Sequence, residues 1–367
     1  MLLNKLVIRP AQSADISDLV ALEKASFTTD RISRRSFTYF IRKGHCSLIV
    51  AYDGAQLAGY ALVLYRNGTQ LARLYSIAVS DASRGKGVAQ QLLSEAEQRA
   101  ADELCLFMRL EVRVDNQAAI HLYQKLKYRP IGKVEGYYED GGDALQMERA
   151  LRPTSLGKLP GIRYQQTTDF TCGPASLMMA MHKLDLGYQM SMDEEIQIWR
   201  EATTIFMTSG HGGCSGFGLA LSAWRRKFKV HLYVNQTSVP FINSVRDPQK
   251  KVVIEQVHKH FLSQLADTQV DIYYAPLTLD KLDEYLRQGA VLVSLISMWR
   301  LTRDKAPHWV LVTGADQNCV SITDPERDYE SWQTEMDFTN VPVSREEFIK
   351  MASFGRDRLT STLVLYR

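Results

Sequence analysis

Leu74-Tyr75-Ser76-Ile77-Ala78-Val79-Ser80-Asp81-Ala82-Ser83-Arg84-Gly85-Lys86-Gly87-Val88-Ala89 reads as a strand, a tight turn and the start of a helix. Within it, Arg84-x-x-Gly87-x-Ala89 puts small residues where a backbone can approach a pyrophosphate. The first N–H groups of the helix have no acceptor of their own and point at such an anion. A tight turn whose glycines only supply positive φ explains the same residues. Short Gly motifs are common, so the neighbouring segments decide.

Working outward, the first half alternates strand and helix signals. Leu6 to Arg9 reads as a strand and Ile16 to Ser26 as an amphipathic helix, with Ile16, Leu19, Val20 and Leu22 at helical spacing. Strand runs Ser47 to Asp53 and Gln56 to Arg66 flank the turn signal Asp53-Gly54. Leu71 to Val79 is a strand, Val88 to Leu104 a helix, Phe107 to Val114 a strand and Gln117 to Lys125 a helix. A strand near Leu145 to Ala150 closes the half.

The motif and its flanks resemble the GNAT superfamily. Leu110-Glu111-Val112-Arg113-Val114-Asp115-Asn116-Gln117-Ala118-Ala119-Ile120-His121-Leu122-Tyr123 looks like the next strand and helix of that fold. Tyr128-Arg129-Pro130-Ile131-Gly132, Gly136-Tyr137-Tyr138 and Asp143 to Met147 extend the likeness to the ribosomal-protein-alanine N-acetyltransferase branch. The resemblance implies acetyl-CoA as co-substrate and a peptide or protein amine as acceptor. Ile77, Ala78 and Val79 would bond the pantetheine arm, and Arg84, Gly85, Lys86, Gly87, Val88 and Ala89 would hold the pyrophosphate. Asn116 matches a cofactor contact, Glu111 the general base and Tyr123 the general acid. That chemistry is coherent, since an amine must shed a proton to attack a thioester and the departing thiolate must gain one. Without the resemblance, Glu111 reads as a strand-end salt bridge with Arg109 or Arg113. Tyr123 then reads as a core aromatic with its hydroxyl at the surface.

Around residues 151–161 periodicity stops and Pro, Gly and Ser accumulate, which predicts a linker. Expected domains are therefore 1–151, a linker 152–163, and 164–367. In the second, Gln166 precedes Cys172-Gly173-Pro174-Ala175 by six positions, and an apolar helical pattern runs from Cys172 to about Leu184. A cysteine at a helix start sits where the dipole and free N–H groups favour thiolate. Pro174 suits a first turn. Helical and irregular segments are expected to about Leu286, then strands at Val291 to Ile296, Trp309 to Thr313, Val320 to Asp324 and Ser361 to Tyr366. His308 and Asp324 bracket a hairpin turning near Ala315 to Asn318, which would bring Asp324 beside His308.

A Cys–His pair oriented by a third polar group is the logic of nucleophilic catalysis. Gln166 could add an amide donor to the Cys172 N–H as an oxyanion hole. The order Gln, Cys, His, Asp, with Cys-Gly-Pro-Ala and Asp324-Pro325, resembles the bacteriocin-processing (double-glycine) peptidase family. It implies a papain-like cysteine peptidase domain. Members of that family are commonly attached to membrane exporters, and no such segment stands here. A non-catalytic peptide-binding module and an amidase acting on a small molecule are the competing readings. The expected fold class is α/β (α+β), a GNAT fold with a mixed central sheet followed by a papain-like α+β domain. The expected function is a bifunctional acetyltransferase and peptidase-like hydrolase.

Composition narrows the rest. The 367 residues are 45% hydrophobic and 23% charged, with formal net charge +3. No whole-chain electrostatics call for nucleic acid or a membrane surface. The N-terminus lacks an apolar run long enough for a signal peptide, and runs such as Ala290 to Met298 are strand-sized. Five cysteines, Cys46, Cys105, Cys172, Cys214 and Cys319, are scattered without paired spacings, as free thiols of a reducing cytoplasm are. His211-x-x-Cys214 has no second pair nearby, so Ser209 to Gly218 reads as a mobile Gly-rich loop, and no metal is expected.

Overall fold

The computed structural model describes residues 6–157, 159–204, 212–245, 247–326 and 333–367. The chain divides into two compact units, Met1–Gly157 and Lys158–Arg367.

The first unit runs β1 (Val7–Pro10), α1 (Ile16–Ser26), α2 (Arg34–Arg42), β2 (Cys46–Asp53), β3 (Gln56–Tyr65) and β4 (Leu71–Val79). It continues with α3 (Val88–Asp102), β5 (Phe107–Arg113), α4 (Gln117–Lys125), β6 (Arg129–Val134) and β7 (Ala144–Ala150). The sheet order is β1-β2-β3-β4-β5-β7-β6. Among the described residues of this sheet only β4 and β5 pair in parallel, which is why a helix, α3, connects them. Strand alternation sends each face of β3 into a separate core. Ala61 and Val63 meet Leu92, Leu93 and Ala96 of α3, while Tyr60 and Leu62 meet Leu19, Leu22 and Phe37 of α1 and α2. The sequence reading passed over α2 and β6. Helix α2 buries only Phe37 and Phe40 in a charged stretch, and β6 is an edge strand holding Pro130 and Gly132.

The second unit contains α5 (Cys172–Leu184), α6 (Met192–Ala202), α7 (Gly216–Arg225), β8 (Lys229–Val234), α8 (Pro248–Ala266) and β9 (Asp271–Tyr273). It ends with α9 (Leu279–Arg287), β10 (Val291–Ser297), β11 (Pro307–Ala315), β12 (Cys319–Thr323), β13 (Val341–Ser344), α10 (Arg345–Met351) and β14 (Ser361–Tyr366). Its sheet is ordered β13-β12-β11-β10-β14-β8-β9. One face, with Val293, Leu295, Leu311 and Leu363, packs on the helices α5 and α7. The other, with Leu292, Val310, Val312 and Ile322, is covered by α9 and α10. Helix α5 is apolar all round because it is the central helix: every residue from Cys172 to Met181 is buried.

Two expectations need correction here. The stretch read as helical and irregular to Leu286 contains β8, which pairs with β14 inside the sheet. Its Lys-Val-His-Leu-Tyr-Val alternation was a strand signal, with Val230, Leu232 and Val234 on the core face. The run Ser209 to Gly218 is not one loop either. Ser209, Gly210 and His211 lie outside the described residues, but Ser215 caps α7 through Phe217 N–H, and Gly216 begins the helix. The predicted hairpin is present: β11 ends at Ala315 and β12 starts at Cys319. Asp316 closes the turn, its Oδ1 accepting from the N–H groups of Asn318 (2.9 Å) and Cys319 (2.8 Å).

Candidate active sites

In the first unit the parallel pairing of β4 with β5 covers only Leu71 to Leu74 against Phe107 to Leu110. Tyr75 is then an extra residue opposite β3, since Leu74 pairs with Val63 and Ser76 with Leu62. A bulge of this kind bends its strand and ends pairing. Beyond it Ile77, Ala78 and Val79 keep β3 as partner, and among the described residues their other edge has no strand beside it. The turn that follows holds Gly85 at φ +73° and Gly87 at φ +79°, each with open space where a Cβ would stand. The glycines are therefore demanded by backbone conformation, not by crowding. The first bond of α3 runs from Gln91 N–H to Gly87 O at 3.1 Å, so the N–H groups of Val88, Ala89 and Gln90 precede the helical ladder. Among the described residues no side chain caps them. An open depression of about 560 Å³ adjoins this end, bordered by Ile8, Gly87, Gln90 and Gln91. Arg84 is exposed and pairs with Asp81 at 2.9 Å. These are the groups that could receive an anionic cofactor.

Glu111 lies on β5, and Arg73 of β4 meets its carboxylate, Nε to Oε2 at 2.9 Å, with both side chains 4% exposed. Arg109 bonds Glu148, and Arg113 bonds Asp115 and Asp140. Arg73 also donates to the Tyr137 hydroxyl at 2.9 Å. Tyr123 on α4 is buried, its ring 5.6 Å from that of Tyr128. Burial first, and Tyr138 second, push its phenol well above the usual range, so it keeps its proton at neutral pH. Tyr138, beneath the Arg113 guanidinium, is pushed up to about 12 by burial and by Glu111. Asn116 is the cap of α4, its Oδ1 accepting from Ala119 N–H at 3.1 Å, which leaves its amide NH₂ for any other contact.

Glu23 is among the buried carboxylates that the sequence reading missed. Glu23 of α1 accepts from Ile32 N–H at 2.8 Å and from the Tyr60 hydroxyl, which also bonds Ser76 of β4 at 2.7 Å. Burial raises its pKa. Nothing in its helical spacing distinguishes it from a solvated glutamate.

In the second unit Cys172 is the first residue of α5, with no side-chain cap at Thr171. Pro174 has no N–H, so it wastes no donor in the first turn. Ser176 Oγ donates to the Trp309 carbonyl at 2.9 Å and ties this end of the helix to β11, next to His308. His308 Nε2 lies 2.8 Å from Asp324 Oδ1, and Cys172 is near enough to strengthen the hold of the imidazole on its proton. Burial works against a charged ring. Asp324 and Cys172 together outweigh it and hold His308 well above its ordinary pKa. Cys172 is 8% exposed, His308 5% and Asp324 0%. Asp324 Oδ1 also accepts from Glu326 N–H at 3.0 Å, and Gln166 N–H bonds the Pro325 carbonyl at 2.9 Å. That last bond places Gln166 against the segment carrying Asp324. The Gln166 side chain is buried, and its Oε1 has no hydrogen-bond partner among the described residues. Gly173 packs where a Cβ would come within 3.2 Å of Cys214, Leu219 and Trp309. Among the described residues no group of three or more His, Cys, Asp or Glu is placed to hold a metal ion. Among them, too, no helix is long and apolar enough to cross a membrane.

The fold and these clusters define a chain that joins a unit built on a mixed sheet to an α+β unit with a Cys–His–Asp cluster. The chain belongs to the Peptidase_C39 like family, matched over residues 163–366, and its first unit to the acetyltransferase (GNAT) family, matched over residues 16–128. It is 31% identical over 160 residues to an N-alpha-acetyltransferase of Saccharolobus solfataricus, covering 39% of this chain and 92% of that one. It is 29% identical over 157 residues to an uncharacterised N-acetyltransferase of Methanocaldococcus jannaschii, covering 42% and 97%. Among solved structures, the ribosomal-protein-S18-alanine N-acetyltransferase of Escherichia coli aligns with TM-score 0.37 and 21% identity, covering 42% and 98%.

Proposed function

We propose that this chain is a bifunctional enzyme. Its first unit moves an acetyl group from acetyl-CoA to a peptide or protein amine, and its second hydrolyses a peptide or amide bond. The observation that carries the second activity is His308 bonded to Asp324 with Cys172 near enough to act on its charge. The first rests on GNAT membership together with the parted β4 and β5 and the uncapped start of α3.

In the transferase, main-chain groups of Ile77, Ala78 and Val79 receive the amide arm of the co-substrate as a strand would. The N–H groups from Gly85 to Ala89 hold its pyrophosphate, with Arg84 and Lys86 at the rim. Glu111 accepts the amine proton, directly or through a water. Tyr123, which keeps its proton at neutral pH, donates it to the departing thiolate. Asn116 contributes its amide NH₂ while its oxygen caps α4. In the hydrolase, the Cys172 sulfur attacks the carbonyl carbon and His308 passes a proton to the leaving amine. Water then attacks the thioester, His308 takes its proton, and the acid is released. The Cys172 N–H and the Gln166 amide face the oxyanion. The unpartnered Gln166 Oε1 supports a place there for a bound molecule, and exchange of its O and N ends would present NH₂.

The test is a thiol-release assay with acetyl-CoA and free-amine peptides, with mass spectrometry of every product. Acetylated full-length peptides absent in Glu111→Gln, and shortened peptides absent in Cys172→Ala, are the expected results. Acetyl transfer that survives Glu111→Gln unchanged sinks the assigned base. The phosphate loop has its own test. Gly87→Ala places a Cβ at φ +79°, which costs about 1–2 kcal/mol of backbone strain and tilts the first amides of α3. The KM for acetyl-CoA should rise several-fold with kcat less affected, and an unchanged KM argues that the loop does not hold the cofactor.

A further inference from the structure

The second unit has a cavity that the hydrolytic cluster does not use. Lys183 stands in the last turn of α5, roughly 16 Å along the axis from Cys172 at about 1.5 Å per residue. Its Nζ donates to the main-chain oxygen of Thr313 at 2.9 Å. Thr313 is the extra residue of a bulge in β11, because Val312 pairs with Ile322 and Gly314 already with Ser321. A cavity of about 700 Å³ opens at this point, lined by Lys183, Leu184, Leu286, Arg287 and Val291 among others. That volume lies in the range of small-molecule sites.

Among the described residues the two cations on its wall are not paired with the two carboxylates there. Asp283, on the wall, is held by both arms of Arg345 at 3.1 and 2.7 Å. Asp316, also on the wall, spends its Oδ1 on two N–H groups of the β11–β12 turn. Lys183 makes no ion pair among the described residues, and burial alone pushes its pKa down. Arg287 is exposed at the same cavity and likewise makes no ion pair among the described residues. A desolvated ammonium with one neutral acceptor is a costly arrangement that an incoming anion relieves.

We propose that this cavity is a second ligand site, separate from the hydrolytic cluster, that takes a small carboxylate with an apolar body. The carboxylate lies against Lys183 and Arg287, and the hydrocarbon against Leu184, Leu286 and Val291.

The test uses the full chain, with hexanoate, hexanamide and inorganic phosphate as probes in calorimetry and thermal melts. Hexanoate should bind and raise the Tm, with hexanamide and phosphate each at least tenfold weaker. Lys183→Met should weaken hexanoate at least tenfold and Arg287→Ala several-fold. Ligand-free Lys183→Met should melt no lower than the parent, because a thioether of similar length replaces a desolvated charge. Its Cys172 should alkylate at the parental rate. Equal binding of hexanoate and hexanamide removes the cations from the site, and phosphate binding as tightly as hexanoate removes the apolar wall. Either result overturns the proposal, as does undiminished hexanoate binding in Lys183→Met. Should Lys183→Met not fold, Arg287→Ala decides alone: retained full affinity overturns, loss supports.

Discussion

Cys172→Ala is expected to erase hydrolysis, on the order of a millionfold where the nucleophile of a hydrolytic triad is removed. Acetyl transfer by the first unit should persist. The deeper claim concerns His308, and it separates a catalytic cluster from a retained binding fold. Asp324 and Cys172 shift the His308 imidazole toward its protonated form. Asp324→Asn removes the main counter-charge and leaves the burial that opposes a charged ring. Iodoacetamide labelling of Cys172 at pH 7 should then fall at least tenfold below the parent. Stability must follow the same proton. A raised folded pKa means the folded chain binds the proton more tightly than the unfolded one. That contribution is complete below about pH 6.5 and is lost as pH rises through the higher folded value. The Tm gap between parent and Asp324→Asn should be widest near pH 6 and narrow in alkali. If Cys172 labels slowly in the parent and indifferently to His308→Ala, the second unit is a peptide-binding module, a reading its 8% exposed cysteine also permits.

The second large effect is expected at Glu111. Glu111→Gln should lower kcat for acetyl transfer about 10²–10⁴-fold, the contribution of a positioned general base. The same change disturbs a buried pair with Arg73, and breaking such pairs costs about 3–5 kcal/mol. The two effects can be told apart. Replacing both partners, Arg73→Met with Glu111→Leu, exchanges the buried pair for apolar packing and should recover much of the lost Tm. The rate should not recover with it. A double variant that regains both would make Glu111 a structural carboxylate, and the base would have to be sought elsewhere. Glu23 is the first place to look, since it is the other buried carboxylate hydrogen-bonded toward β4 through Tyr60 and Ser76.

Much of both candidate sites was legible as local structure because the signals were local. Gly85 and Gly87 announce a turn of positive φ, and the apolar residues before and after it announce the strand and the helix. Cys172 with Pro174 announces a helix start. The hairpin from His308 to Asp324 follows from two strand runs and an Asp-containing turn, so its return could be foreseen without knowing what packed on it. Strand β8 carried an equally local alternation and was passed over among long helical stretches.

The sequence by itself determined which residues begin the helices, turn the chain and alternate across a sheet. It also determined the order of chemistry-bearing groups along the chain. Those properties depend on contacts within a few residues, where steric limits on φ and hydrogen-bond spacing leave few options. Tertiary structure alone decided which partner each buried charge found. Arg73 reaches Glu111 across 38 positions because four residues of parallel register set β4 beside β5. Arg109 and Arg113, nearer along β5, meet Glu148 and Asp140, both far off in the sequence. Lys183 meets Thr313 across 130 positions only because a bulge in β11 lies beside the end of α5. The energy of a buried charge depends on what the fold packs around it, and that is set by register and packing between distant segments.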